Sequence, residues 1–290
     1  MRNPYKRTDV FSCHYQSHAK FAHRVSVYHV LCVKKCYPQG CYFYKWFCDL
    51  KNKGKSCPRK FKKIGRLCEG CAHYTDLREH YQPLVHLSQL EFDRFKTELE
   101  DFDDWLETVT GRSVTFGGRV DAIKPHFKKF VMGGKGHIRL HGYIVIFKEG
   151  FIGSTKIDDY IFAAVSPFQQ ERIQVAPGDQ VEALGNLELS RGRLLFPKMW
   201  AVDFDFRSGA ETWNNSQALV ARETATSFQS QPESCIHCPK GALVDVIDKR
   251  CSDSSPRRAL YCLEGIMSPE LCHVHVFEKA QGYYQCEQMK

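Results

Sequence analysis

No run of about 18 apolar residues occurs in the 290-residue chain, so no membrane-crossing helix is expected. The best candidate for an export signal, Val25–Val33 (VSVYHVLCV), is broken by Tyr28 and His29 and lacks a small-residue cleavage site. That points to a cytoplasmic protein without a membrane partner. Catalytic signatures are missing as well. The chain has no G-x-S-x-G, no G-x-x-x-x-G-K-[ST], no G-x-G-x-x-G and no H-E-x-x-H. The Gly-rich MGGKGH falls between two strand-like segments, where a hairpin loop accounts for it. The paired Asp103–Asp104 and the alternating Asp203 and Asp205 carry no sign of acid–base work. The sequence reads as non-catalytic.

Cysteine is missing from residues 72–234, a stretch of 163 residues, although the chain holds 14 cysteines. Seven lie between Cys32 and Cys71 and six between Cys235 and Cys286. Small secreted domains use such clusters as disulfides because they lack a core. Here the part with core-forming residues is the part without cysteine, so both clusters read as metal ligands. Acidic residues are scarce at one end: residues 1–71 hold 16 Lys and Arg against 3 Asp and Glu. Residues 88–111 reverse this, with 2 against 8, while the chain as a whole carries +8. The basic end favours an anionic partner, nucleic acid before membrane.

Along the chain, residues 1–31 show no clear period, and residues 32–87 form a basic, Cys-rich metal-binding module. A long amphipathic helix is predicted over 88–111. Ser88 with Glu91 makes a capping box, Gly111 ends it, and Phe92, Phe95, Leu99, Phe102, Leu106 and Val109 recur at helical spacing. From residue 113 the period becomes strand-like, with five strands expected at 113–123, 137–147, 157–165, 179–189 and 193–206. Gly117–Gly118 suits a bulge, and Ser190-Arg191-Gly192 a tight hairpin. Residues 208–234 are polar and read as a linker, and 235–290 as a second Cys-rich module.

The expected class is mainly β with one long helix. Five strands in 112–207 with these turns resemble an OB-fold, a five-stranded Greek-key barrel, here flanked by two small metal-binding Cys modules. No family resemblance covers the whole chain.

In the first module the favoured ligands are Cys48, Cys57, Cys68 and Cys71. The Cys-x-x-Cys pair supplies two thiolates from one turn, and tetrahedral zinc takes four. Cys32, Cys36 and Cys41 are substitutes, or form a second site with His29 or His73. In the second module the favoured set is Cys235, Cys238, Cys251 and Cys262, with Cys272 and Cys286, or His273 and His275, as substitutes. Pro239 and the strand-like ALVDVID after Cys238 suit a knuckle feeding a β-element, as in zinc ribbons, rather than a redox dithiol. Zn2+ is the expected metal. A 4Fe-4S cluster is the alternative, because both take four thiolates and Pro follows both Cys57 and Cys238.

The OB-like resemblance implies nucleic-acid contacts on strands two and three and on two loops. In strand two, Ile138, Leu140, Ile144 and Ile146 are expected to face the core, and Arg139, His141, Tyr143 and Phe147 to face out. In strand three, Ile161, Ala163 and Val165 point in, and Tyr160 and Phe162 out. The first loop offers Lys124, Lys128, Lys129 and Lys135, and the second hairpin Arg191 and Arg193. Exposed aromatics beside cations suit stacking of single-stranded bases. An iron–sulfur electron-transfer component and a protein-binding scaffold stay open as other readings.

Overall fold

A computed structural model describes residues 1–132, 135–248 and 257–273. The chain divides into two compact units, Pro4–Leu99 and a larger one made of Met1–Asn3 with the described residues from Glu100 onward. Strand dominates, as expected. No helix among the described residues is long and apolar enough to cross a membrane.

In the smaller unit, β1 (Phe11–Ser12) pairs with β2 (Arg24–Val25) and with β5 (Leu84–Val85). Phe11 meets Phe92 and Phe95 edge to face, joined by buried Val10, Val25, Val27 and Val30. A separate hairpin pairs β3 (Cys41–Cys48) with β4 (Tyr74–Tyr81) in unbroken antiparallel register, Cys41 opposite Tyr81 and Cys48 opposite Tyr74. The short helix α1 (Asp49–Asn52) follows β3. The long helix α2 (Gln89–Val109) runs from this unit into the next and opens as the sequence predicts. Glu91 accepts from the Ser88 hydroxyl and amide at 2.7 and 2.9 Å, and the helix buries Phe92, Phe95, Phe102 and Val109.

The larger unit is built on two long strands, β6 (Ser113–Met132) and β7 (Lys135–Ile152). Then come β8 (Thr155–Ile157), β9 (Ile161–Val165), α3 (Pro167–Ile173), β10 (Gln180–Asn186), β11 (Glu188–Ser190), β12 (Arg193–Phe196) and β13 (Met199–Phe206). β7 pairs with β6 and β9, β9 pairs in parallel with β12, and β10 pairs with both β6 and β13. The run 193–206 is split at Pro197-Lys198 into β12 and β13. The large sheet is therefore open, and the closed barrel expected from the sequence is corrected on that point. Its core holds Tyr143, Val145, Phe147, Ile152, Ile161, Leu194 and the stacked pair Phe116–Phe196, 3.6 Å between centroids. Gly117 is obligatory in that sheet, because a Cβ there would meet the Val181 carbonyl oxygen at 2.1 Å.

Residues 208–234 are not a linker. They carry α4 (Asn215–Thr224), opened by a capping box between Asn214 and Gln217, and β14 (Thr226–Ser227). After α5 (Glu233–His237), β15 (Gly241–Asp248) pairs antiparallel with β16 (Arg257–Cys262) and in parallel with residues 128–131 of β6. Ala221, Ala242, Val244, Tyr261 and Leu263 pack with Phe127, and Ile138, Leu140 and Trp213 lie against them. The second Cys module is thus an extension of the large sheet. The segment expected as a lysine-rich loop is the far half of β6, which receives it.

Candidate metal centre and basic faces

The C-terminal cysteines converge. Cys235 sits in α5, and Cys238 in the turn after it, where the Gly241 amide donates to the Cys238 carbonyl at 2.9 Å. Cys262 ends β16, and Cys272 follows a single helical turn whose Pro269 carbonyl accepts the Cys272 amide at 3.2 Å. All four line one cavity of about 20 Å³, walled by Phe228, Gly241, Tyr261 and Ile266. Burial and then the neighbouring sulfurs of Cys238, Cys272 and Cys262 push the Cys235 thiol up. Cys272, a substitute in the sequence reading, therefore stands beside Cys235, Cys238 and Cys262. Cys251 itself lies outside the described residues, as does Cys286.

Two neighbours fix this knuckle. A Cβ on Gly241 would stand 1.7 Å from the Cys235 carbonyl oxygen, so only glycine fits. Lys124 is buried in β6, and its ammonium donates to the carbonyls of Cys238, Ile236 and Gly241 at 2.7, 2.9 and 2.9 Å. Burial pushes it down to about 8. Lys124 was expected as a loop cation for phosphate; the structure makes it the clamp of the cysteine knuckle. Three backbone acceptors around one ammonium replace its hydration and turn the knuckle's carbonyls inward.

The donors lining that cavity are four cysteines, the chemistry that a four-thiolate ion would take. The space admits an ion rather than a small molecule, and its chemistry is all sulfur. Among the described residues no group of three or more Cys, His, Asp or Glu side chains stands in ready coordination geometry. The twelve described cysteines are free thiols, and thiols must lose their protons before they close on a metal. Near the N-terminus, Cys48 ends β3, and Cys68 and Cys71 lie in the turn that leads into β4. There the Cys71 amide donates to the Cys68 carbonyl at 3.0 Å. Cys57 is half-buried on the loop between, which is tied across by the Lys51 ammonium donating to the Lys62 carbonyl.

The face expected to bind nucleic acid is reorganised by one bulge. His126 pairs with Gly142 but Phe127 with Leu140, so His141 is an extra residue and the strand changes phase there. Ile138 and Leu140 do face a core, but beyond Gly142 the inward residues are Tyr143, Val145 and Phe147, all fully buried. Tyr143 and Phe147 are corrected from surface to core. The Tyr143 hydroxyl donates to Asn215 Oδ1 at 2.9 Å. Ile161, Ala163 and Val165 point in as expected.

Other cations of that set already have partners. Lys129 donates to the Tyr261 hydroxyl at 3.0 Å, and Lys128 meets His141 Nε2 at 3.0 Å. Arg193 lies over the Phe162 ring at 5.0 Å, with its guanidinium pushed down to about 10 by burial and by Arg258 and Arg191. Asp245 accepts from Arg191 and Arg258, each at 3.1 Å, with His126 at 3.9 Å. Tyr160 stacks on His237 at 5.3 Å. Arg139 and His141 remain exposed; Lys135 opens β7, the strand that pairs with the end of β6.

Sequence reasoning missed a different surface. On β3, Tyr42, Tyr44 and Trp46 are 49%, 53% and 39% exposed, and they alternate along one face. Across the ladder His80, Arg78 and Asp76 stand opposite them. Arg78 lies 3.8 Å over the Tyr42 ring, and His80 stacks on it at 4.5 Å. Only the Cys41 end of the other face is covered, where Phe43 stacks on Tyr15 at 3.8 Å. The signal was available in CYFYKWFC, an aromatic alternation too dense for a hairpin with so little to pack against.

No family model, no curated protein and no solved structure matches this chain.

Proposed function

We propose that the protein is a non-catalytic binder of single-stranded or structured nucleic acid, with metal ions as structural staples and the β3–β4 hairpin as its stacking surface. The observation that carries this reading is the exposed row Tyr42, Tyr44 and Trp46, with Arg78 and His80 beside it. It lies in a stretch of 71 residues that holds 16 Lys and Arg against 3 Asp and Glu. Aromatic faces accept bases of any sequence, and the surrounding lysines supply phosphate contacts whose strength falls with salt. Zn2+ is the ion we assign to the thiolate sites; a 4Fe-4S cluster is told apart by colour and by iron with acid-labile sulfide.

An OB-like arrangement of the larger unit belongs to the same reading. Taking β12 and β13 as one strand bent at Pro197, the pairings β6–β7–β9–β12 and β6–β10–β13 follow the order of a partly open five-stranded Greek key. On that view Arg139, His141 and Lys128 at the far end of the β6–β7 hairpin are a secondary contact for phosphate.

Titration of labelled single-stranded DNA and RNA into the zinc-loaded full chain at two salt concentrations tests this reading. Replacing Tyr44 and Trp46 together by alanine should weaken binding at least tenfold, since each stacked base is worth about 1–3 kcal/mol. Absence of binding at low salt, or affinity unmoved by that double substitution, overturns it.

A further inference from the structure

A cavity of about 240 Å³ in the Pro4–Leu99 unit gathers three cysteines and two histidines that belong to neither quartet discussed above: Cys13, His18, His29, Cys36 and Cys41. Each is placed by backbone bonding. The Cys13 amide donates to the His23 carbonyl at 2.9 Å just after β1, and the His29 amide to Ser26 Oγ at 3.3 Å. The Cys36 amide reaches the Val30 carbonyl at 3.0 Å, and the Gly40 amide donates to the Cys36 carbonyl, closing a Cys-x4-Cys turn. Gly40 has φ +86°, and a Cβ there would meet the Tyr81 carbonyl oxygen at 2.8 Å. That turn therefore closes as drawn only with glycine.

The side chains behave as a cluster. Cys13 and Cys36 are 5% and 6% exposed, and the Cys36 thiol donates to the Val30 carbonyl at 3.9 Å. Burial first, then the Cys41 and Cys13 sulfurs, push the Cys36 thiol up to about 12, as crowding in a dry space requires. His29 Nε2 is buried with no hydrogen-bond partner. An orphaned ring nitrogen costs about 1–3 kcal/mol, and native proteins rarely leave one without an ion or water.

We propose that Cys13, His29, Cys36 and Cys41 form a further structural metal site, three thiolates and one imidazole holding a zinc-class ion. Binding releases the three thiol protons to solvent, leaves the ion's oxidation state unchanged and gives His29 Nε2 its missing partner. The ion also has a mechanical place. Cys41 opens β3 and Cys48 closes it, so this site and the one assigned to Cys48 would pin the two ends of the aromatic strand. A two-stranded hairpin is marginal by itself, so pinning both ends is what it needs. The site is independent of whether the hairpin binds nucleic acid.

The test uses the full chain loaded with Zn2+ alone and counted by native mass spectrometry. Cys36→Ser should hold one ion fewer than wild type, and Cys36→Ser with Cys71→Ser two fewer. His29→Ala should lose the same ion, while His29→Cys, which restores a fourth thiolate, should keep it. An unchanged count in Cys36→Ser overturns the proposal. Because that variant can fail to fold, the wild type is also probed by thiol alkylation read peptide by peptide. Cys13, Cys36 and Cys41 should react slowly with zinc, quickly after chelation, and slowly again on adding zinc back, with their protection surviving in Cys71→Ser. Rates indifferent to zinc mean a buried thiol cluster only, and overturn the proposal equally.

Discussion

The two cysteine-rich regions are built on different foundations. In the larger unit, Cys235, Cys238, Cys262 and Cys272 gather at one end of the β15–β16 pair, of which β15 is zipped to β6, backed by Phe127 and Val244, and clamped by Lys124. In the smaller unit, β3 and β4 pair only with each other among the described residues, and most of their side chains are exposed. The first region has an apolar core of its own, while the second has almost none. Apolar burial at about 25 cal/mol per Å² sustains the former without an ion, whereas on the proposed reading the hairpin would depend on bound metal.

The largest expected effect follows directly. Chelation should abolish the structure of residues 41–81 and leave the large sheet in place, visible as loss of aromatic circular dichroism with most strand signal retained. Equal loss in both regions would remove the distinction. Next comes Gly241→Ala, which forces a methyl onto the Cys235 carbonyl oxygen. It should destabilise the larger unit by about 4 kcal/mol, read by chemical denaturation, and release its ion. A cost under about 1 kcal/mol would show that the knuckle yields. Lys124→Met removes the donor from three carbonyls and should cost about 2–3 kcal/mol while leaving the hairpin's ions bound. Loss of ions from both regions would contradict the separate foundations.

The smallest effect concerns charge. Burial raises the Asp245 carboxyl, but His126, Arg258 and Arg191 outweigh it and hold it well below the ordinary carboxylate range. A depressed carboxyl contributes stability that is full above about pH 4 and lost as pH falls towards its folded value. Asp245→Asn should therefore cost about 1–2 kcal/mol at neutral pH, discounted for its partial exposure, with a gap from wild type that narrows below about pH 4. Comparing both proteins metal-free in chelator keeps thiolate protonation out of the difference. A gap constant with pH would mean that the arginines do not depend on this carboxylate.

Much of the fold was legible because its signals are local. Ser88 with Glu91 marks the start of α2, and the two-residue turn at Arg191-Gly192 joins β11 to β12 with both φ values positive. The alternation of Ile161, Ala163 and Val165 gave the correct inward face. Non-local facts were hidden. Nothing in IRLHGYIVIF announces that His141 is an extra residue, so the phase shift that buries Tyr143 and Phe147 could not be read. Lys124 looked like any loop lysine, because the carbonyls that take its proton donors lie more than a hundred residues away. The polar stretch 208–234 hid α4, which packs through Ala218 and Ala221, with Trp213 just before it. Its capping pair Asn214 and Gln217 was the signal to have weighed. Cysteine spacing located the clusters and offered Cys272, but Cys13 lies beside Cys36 and Cys41 through tertiary contacts that spacing does not encode.

Hydrogen exchange on the full chain, zinc-loaded and then chelated, tests the difference between the two foundations most directly. The account predicts that amides of Cys41–Cys48 and Tyr74–Tyr81 lose protection on chelation while those of Ser113–Met132 and Lys135–Ile152 keep theirs. Protection of the hairpin that is unchanged by chelation, or lost together with that of β6 and β7, would contradict it.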